Sequence, residues 1–177
     1  MIELRSSSPD NTRAIAASVA AIARAGDLII LVGQMGAGKT AFAQGFAKAL
    51  GIDEPVTSPT YTLVHTYATG AAISARTLHH ADLYRLEHTA EVDDLALAEL
   101  LDDRSIMLVE WGDVVDLGPH LRIELRIDDS TLGTSDDAHG VDAGSLDGRE
   151  ITLESTGRGW ASRWATLEDA LEQWSVS

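Results

Sequence analysis

The chain of 177 residues contains no cysteine, so disulfide bonds and thiolate metal sites are excluded. Apolar runs such as Leu28 to Val32 are far shorter than the roughly 20 residues that a membrane-spanning helix needs. No cationic segment followed by an apolar one stands at the amino terminus, so no signal peptide is expected. We therefore expect a soluble cytoplasmic protein that does not bind membranes.

Positive charge is also scarce. Thirteen lysines and arginines stand against 28 aspartates and glutamates, which gives a net charge of −15, and only Lys39 and Lys48 are lysines. Binding to nucleic acid by phosphate neutralisation needs clustered cations, so the net charge argues against broad direct attraction to nucleic acid, and we expect any role with RNA to pass through a partner. The length and the 45% of hydrophobic residues predict one globular domain spanning residues 1–177.

One of the two lysines belongs to a phosphate-binding motif. The pattern G-x-x-x-x-G-K-[ST] matches Gly33-Gln34-Met35-Gly36-Ala37-Gly38-Lys39-Thr40, between a predicted strand, Asp27–Val32, and a predicted helix, Ala41–Leu50. Such a loop directs backbone amides and a helix N-terminus at one anion, whereas the alternative is a glycine-rich turn that only joins a strand to a helix. We expect the nucleotide to contact Gly36, Ala37, Gly38, Lys39, Thr40 and Ala41.

Two acidic residues follow predicted strands and are candidates for the chemistry. Glu110 follows Ile106–Val109, and Asp82 follows Thr77–Ala81. In this fold class a carboxylate at such a strand end lies beside the phosphate loop, so Glu110 is the first choice to hold Mg²⁺ together with the Thr40 hydroxyl. Asp82 is then expected to position water or to contact the nucleotide. The predicted catalytic residues are Lys39, Asp82 and Glu110; the alternative for each acid is an exposed strand-end side chain.

Several other elements follow from periodicity and capping signals. The predictions are an edge strand Ile2–Arg5, a helix from Pro9 to Ala25 capped by Ser8, a strand from Thr60 paired with Ser74–Ala81, a helix Glu91–Asp102, strands Leu121–Ile127 and Arg149–Leu153, and a terminal helix within Gly157–Trp174. Residues 128–147 contain six aspartates and predict a mobile acidic loop. A metal-binding loop is the alternative, but the aspartates lack EF-hand spacing.

Missing motifs narrow the choice of nucleotide. Asn11 is the one asparagine, so the Asn-Lys-x-Asp motif that recognises guanine is absent and ATP is favoured over GTP. A metabolite kinase of this fold normally carries an arginine-bearing lid, and no paired-arginine lid is obvious here, although Arg85 and Arg104 bracket a helical segment that could serve. ATP hydrolysis is the leading prediction. A small-metabolite kinase and an ATP-binding regulatory module without turnover remain alternatives.

Four blocks in fixed order add a family resemblance. They are Gly33–Thr40, Ser58-Pro59-Thr60-Tyr61-Thr62-Leu63, His80-Ala81-Asp82-Leu83-Tyr84-Arg85-Leu86 and Val109-Glu110-Trp111. With these blocks the chain resembles the bacterial TsaE (YjeE) family of ATPases of tRNA threonylcarbamoyladenosine biosynthesis. The resemblance implies an α/β, three-layer P-loop NTPase fold around a mixed, mostly parallel sheet, with ATP and Mg²⁺ as ligands. It also implies slow intrinsic hydrolysis and two partners, the synthase and its inactive scaffold homologue, which handle the tRNA.

The resemblance also assigns roles to individual residues. It implies that Thr40 and Glu110 hold Mg²⁺, that Lys39 and Asp82 lie at the nucleotide and that Arg149 touches ATP. The segment Ser58–Tyr61, with Ser58, Thr60 and Tyr61, is similar to a switch loop, Trp111 is expected to be needed for activity, and Arg85 is our candidate for a polar partner contact. A salt bridge within the domain is the alternative for Arg85. Two features depart from the family, because Ala41 replaces a common threonine and the acidic loop is longer.

Overall fold

A computed structural model describes residues 1–59, 63–71, 74–84, 97–114, 116–128 and 148–176, and among them seven strands form one sheet. The strands are β1 (Ile2–Ser6), β2 (Leu28–Val32), β3 (Val64–Ala68), β4 (Thr77–Asp82), β5 (Ser105–Glu110), β6 (Leu121–Ile127) and β7 (Arg149–Ser155). Their order is β1-β7-β6-β2-β5-β4-β3, so β1 lies at an edge as predicted.

The centre of the sheet is parallel. β2 pairs in parallel with both β5 and β6, and β4 pairs in parallel with β5. β3 and β7 run the other way, since β3–β4, β6–β7 and β1–β7 are antiparallel pairs. Five of these seven strands therefore share one direction, which confirms the predicted mixed, mostly parallel sheet. Every residue of β2 and β5 is buried, as expected for strands covered on both faces.

The two faces of the sheet carry separate apolar clusters. Ile29 and Leu31 of β2 belong to the larger cluster, which also contains residues of helices α1 (Pro9–Ile22) and α2 (Lys39–Ala49). Leu28 and Ile30 belong to a second cluster with Leu97, from the short helix α3 (Leu97–Leu100). This alternation follows from the two-residue period of a strand, and it gives a sheet with apolar layers on both sides. Among the described residues, no helix is long and apolar enough to cross a membrane.

Helix α1 begins as predicted and ends earlier than predicted. The Asn11 backbone N–H donates to the Ser8 hydroxyl at 3.1 Å, which confirms Ser8 as the N-cap. The helix ends at Ile22, where Ala23 turns to an extended conformation, and does not continue to Ala25. The guanidinium of Arg163 donates to the Ile22 carbonyl at 2.8 Å, so a tertiary contact satisfies one of the carbonyls at the helix end.

The predicted terminal helix is broken. It consists of α4 (Arg158–Ala161), α5 (Trp164–Leu171) and a 3₁₀ turn, Glu172–Trp174. The break falls at Arg163, which leaves helical geometry at φ −116° and binds the Asp27 carboxylate in two hydrogen bonds of 2.7 and 2.8 Å. Of the predicted helix 91–102, residues 91–96 lie outside the described chain; residues 129–147 of the acidic segment do so as well.

Candidate active site

The phosphate loop, residues Gly33–Thr40, connects β2 to α2 through three glycines with positive φ. These are Gly33 at 143°, Gly36 at 79° and Gly38 at 107°. A Cβ at Gly33 would overlap the backbone carbonyl oxygen of Leu125 in β6, so glycine is needed there for the close approach as well as for the turn. Helix α2 begins at Lys39, two residues earlier than predicted, and its N-terminus therefore opens directly at the loop.

Lys39 is buried in the mouth of the loop. Its Nζ donates to the carbonyl oxygens of Gly33 at 2.6 Å and Gln34 at 3.0 Å, and it lies 4.0 Å from the ring centroid of Trp111. Burial lowers the pKa of Lys39, while the negative charges of Glu110 and Asp82 oppose that shift. The ammonium group is thus held between backbone oxygens, an indole face and two carboxylates.

The two predicted acids are neighbours at the carboxyl ends of adjacent strands. Asp82 and Glu110 are paired in the β4–β5 register, and both are almost fully buried. One oxygen of Glu110 lies 2.9 Å from Nε2 of His80. The Asp82 carboxylate accepts a hydrogen bond from the Ser58 hydroxyl and another, of 3.0 Å, from the Tyr84 backbone N–H. Both carboxylates therefore have fixed orientations.

A cavity of about 330 Å³ brings most of the predicted residues together. It is lined by Met35, Gly36, Gly38, Lys39, Thr40, Ala41, Ser58, Asp82, Tyr84, Glu110 and Trp111. Two larger cavities, of about 410 and 450 Å³, lie beside α5 and beside residues 53–57, and neither contains a predicted site residue. We therefore identify the candidate site by the chemistry of its residues, because volume alone would select one of the two larger cavities.

The donor set of this cavity fits Mg²⁺ that is bound jointly with a nucleotide. Thr40 offers a hydroxyl, and Asp82 and Glu110 offer carboxylates, so all three provide the hard oxygen ligands that Mg²⁺ prefers. Within the described residues, no group of three or more His, Cys, Asp or Glu side chains could hold a metal ion alone. Mg²⁺ is usually held by one or two carboxylates together with substrate phosphates, which is the arrangement that this cavity permits.

Two residues that were predicted to contact the nucleotide, Ala37 and Arg149, do not line the cavity. Ala37 is fully buried, and its N–H donates to the Gln34 carbonyl at 3.1 Å. Arg149, at the start of β7, donates from Nε to the Ala37 carbonyl at 3.1 Å and from Nη2 to the Gly36 carbonyl at 3.3 Å. The structure thus places Arg149 against the phosphate loop; its contact with ATP stays a prediction.

Trp111 owes its position to an uncommon backbone conformation. Its φ is 61°, in the left-handed region, and its N–H donates to the Leu31 carbonyl at 2.9 Å. The indole then lies over Lys39, and the half-exposed ring of Tyr84 lies 5.0 Å away from it. The predicted switch or partner residues Thr60, Tyr61 and Arg85 lie outside the described chain, so their roles stay predictions.

Sequence reasoning assigned no individual role to two residues that the structure places at the site. His80 contacts Glu110, and its position two residues before Asp82 on one strand could have indicated a shared face. Tyr84 lines the cavity, and its place two residues after Asp82 in the block His80–Leu86 was the available signal. Arg104, one of the two arginines that bracket the segment named above for a lid, precedes β5, and six residues of strand put it about 20 Å from Glu110.

Comparison with known proteins gives consistent matches. A family model described as "Threonylcarbamoyl adenosine biosynthesis protein TsaE" matches residues 6–136, a range that contains the phosphate loop, Asp82, Glu110 and Trp111 and ends before Arg149. The chain is 41% identical over 115 residues to the tRNA threonylcarbamoyladenosine biosynthesis protein TsaE of Bacillus subtilis, covering 65% of this chain and 69% of the relative.

Two further similarities extend over more of the chain. It is 34% identical over 152 residues to the protein of the same description from Streptomyces coelicolor, covering 85% of this chain and 94% of the relative. It is also similar to the crystal structure of Bacillus subtilis YdiB, with a TM-score of 0.69 and 30% identity across 98% of this chain and 97% of the other. That structure and this one share their fold over nearly their whole lengths.

Proposed function

We propose, since this chain belongs to the TsaE family of threonylcarbamoyl adenosine biosynthesis proteins, that it is an ATPase serving that tRNA modification. It binds Mg²⁺–ATP, hydrolyses it slowly and thereby supports repeated turnover of a partner synthase that modifies adenosine 37 of ANN-decoding tRNAs. The observation that carries the proposal is the cavity in which the phosphate-loop lysine meets two strand-end carboxylates.

In the proposed site, each group has a distinct task. The amides at the start of α2 and the Lys39 ammonium bind the phosphates, because both present positive charge at the loop. Thr40 and Glu110 would hold Mg²⁺, which when bound neutralises charge on the β- and γ-phosphate oxygens. Asp82 would accept a hydrogen bond from the attacking water and orient it. The oxygen of that water would then bond to the γ-phosphorus as the bond from this phosphorus to the β–γ bridging oxygen breaks, so that ADP leaves and the proton of the water ends on the released phosphate.

The hydrogen bond between Ser58 and Asp82 supports the proposal that the state of the bound nucleotide changes the surface of the protein. Ser58 belongs to the segment predicted to be a switch loop, and its hydroxyl donates to the Asp82 carboxylate. If Asp82 changes partners when water and nucleotide are bound, Ser58 loses its acceptor and the loop loses one of its anchors. A partner can distinguish the nucleotide states only if its contacts differ between them, and this loop would supply such a difference.

The proposed partners are the synthase and its scaffold homologue, with tRNA contacted through them. The net charge of −15 supports this division, because an acidic protein is poorly suited to bind the tRNA phosphates itself. Arg85 is proposed as a polar contact with these partners, and the site of action is proposed to be the cytoplasm.

Calorimetry with ATP and GTP, each with and without Mg²⁺, tests the nucleotide site. ATP should bind more tightly than GTP, and Lys39→Ala should abolish tight binding because a cation is lost beside several negative charges. Lys48→Ala is a matched control, because this second lysine is exposed in the last turn of α2 and should leave affinity unchanged. Equal or tighter binding of GTP would contradict the choice of ATP.

Reconstitution tests the biological role. Synthase, scaffold, tRNA, threonylcarbamoyl-adenylate and ATP are combined with this chain, without it, or with the Lys39→Ala variant, and modified tRNA is counted per synthase molecule. The wild-type protein should raise the count beyond one turnover, and the variant should not. An equal rate in all three reactions would remove the proposed role and leave only the ATP site.

A further inference from the structure

We propose that His80 is a positioning residue that fixes the carboxylate of Glu110 for Mg²⁺, an inference that depends on the proposed function of Glu110. His80 is fully buried in β4, and its Nε2 lies 2.9 Å from Oε1 of Glu110 on the neighbouring strand. The carboxylate lines the cavity beside Thr40, while the imidazole lies behind it, outside the lining. His80 therefore reaches the proposed ion only through Glu110.

The hydrogen bond has a defined direction. A carboxylate that binds a metal is ionised and can only accept, so the shared proton belongs to Nε2 of His80. The other ring nitrogen, Nδ1, is buried and has no hydrogen-bond partner among the described residues. Burying an unsatisfied polar atom has a cost in stability, and this one lies beside two apolar side chains of the larger cluster, Leu78 on β4 and Leu108, the residue paired with His80 on β5.

A purely structural role does not account for that cost. Leu78 and Leu108 occupy nearby inward positions on β4 and β5, and an aliphatic side chain at position 80 would leave no orphaned nitrogen. What the histidine adds is the bond to Glu110. A glutamate side chain loses rotamer entropy when its orientation is fixed, and a hydrogen bond from His80 fixes Glu110 before the ion binds. Side chains that hydrogen-bond to metal ligands and orient them typically contribute 10- to 100-fold to metal affinity.

The test compares His80→Leu with His80→Gln. ATP affinity is measured with Mg²⁺ and with a chelator, and the ratio of the two affinities reports the contribution of the metal. His80→Leu should lower this ratio by about 10-fold or more while leaving the metal-free affinity unchanged. His80→Gln should restore most of the ratio, because its amide can donate to Glu110. A structural role alone would change stability in both variants and leave the ratio intact.

A second comparison removes the proposed ligand. In a Glu110→Ala background, His80→Leu should have no further effect on the ratio, since His80 has nothing left to orient. Should the wild-type ratio be close to one, or Glu110→Ala leave it unchanged, the proposed metal site itself is wrong. Should both of those controls behave as proposed while His80→Leu retains the wild-type ratio, only the role of His80 is refuted.

A spectroscopic measurement covers the case in which the His80 variants fail to fold. Histidine-selective ¹⁵N NMR of the wild-type protein should show one buried ring that is protonated at Nε2 and shifts when Mg²⁺ is added to the ATP complex. The same resonance should shift in Glu110→Gln, which identifies the ring without changing it. The absence of a ring that responds to both perturbations would refute the proposal.

Discussion

Gly45, in the middle of α2, provides a prediction in which packing outweighs helix propensity. Replacing glycine by alanine inside a helix normally stabilises it by about 1 kcal/mol. Here a Cβ would lie 2.5 Å from Cα and 2.8 Å from the carbonyl carbon of Arg13 in α1, and would overlap the carbonyl oxygen as well. All three atoms belong to the backbone, so no side-chain rotation can relieve the clash.

The cost can be worked out from these distances. Carbon atoms pack at about 3.5–4.0 Å, so α1 and α2 would have to separate by about 1 Å at this crossing. Such overpacking typically costs 1–3 kcal/mol, and after subtraction of the gain in helix propensity we expect Gly45→Ala to lose up to about 2 kcal/mol. For a chain of 177 residues this corresponds to a fall in Tm of up to roughly 8 °C. ATP affinity should also fall, because α2 carries the phosphate loop.

Gly159→Ala is the matched control. Gly159 is also helical, in α4, and the nearest atom to its Cβ would be a guanidinium nitrogen of Arg163 at 3.9 Å, an ordinary contact. This variant should be as stable as the wild type or slightly more stable. Urea and thermal denaturation of the three proteins decide the matter. If Gly45→Ala were at least as stable as Gly159→Ala, the close contact between α1 and α2 would be refuted.

Three other predictions concern the acids, a buried ion pair and a buried histidine. Glu110→Ala should remove the Mg²⁺ dependence of ATP binding, measured by calorimetry. Asp82→Ala should keep the ATP affinity and slow phosphate release by roughly 10²-fold. The opposite pattern would show that the two roles are exchanged. Arg163→Met should cost about 3–5 kcal/mol in urea unfolding because Asp27 is left buried and unpaired, and a loss below 1 kcal/mol would contradict this. Burial lowers the pKa of His79, so its contribution to stability is present above its unfolded pKa of about 6.5 and is lost as pH falls through the lower folded value. His79→Gln should therefore make the free energy of unfolding, measured in urea, depend less on pH between pH 7 and 5. An unchanged slope would contradict this prediction.

The parts of the site that could be predicted are those encoded by neighbouring residues. The loop from Gly33 to Thr40 carries its motif in its own residues and in the strand and helix beside it, so the sequence predicts it almost to the residue. The strand-end positions of Asp82 and Glu110 follow from two apolar runs, and the parallel pairing of those runs brings the carboxylates together. A local motif was sufficient for the loop, and local apolar runs were sufficient for the two strand ends.

The parts that could not be predicted depend on residues far apart in the chain. Arg163 ends α1 at Ile22 and breaks the terminal helix because it pairs with Asp27, 136 residues away. No helical periodicity contains that information. Arg149 reaches the phosphate loop, 112 residues away, because only β6 lies between β7 and β2 in the sheet order. These contacts require the topology to be known before they can be inferred.

The balance of charge in the cavity gives a physical reason for the proposed metal dependence. Lys39 is the one lysine at the phosphate loop, and it lies beside Asp82 and Glu110, with Asp113 adding a third negative charge nearby. A triphosphate that enters without a cation would bring several negative charges next to these carboxylates, in a buried site where repulsion is weakly screened. In the proposed function Mg²⁺ converts the carboxylate of Glu110 from a source of repulsion into a ligand. An acidic protein can therefore bind a polyanion tightly at one place, provided that the metal arrives with it.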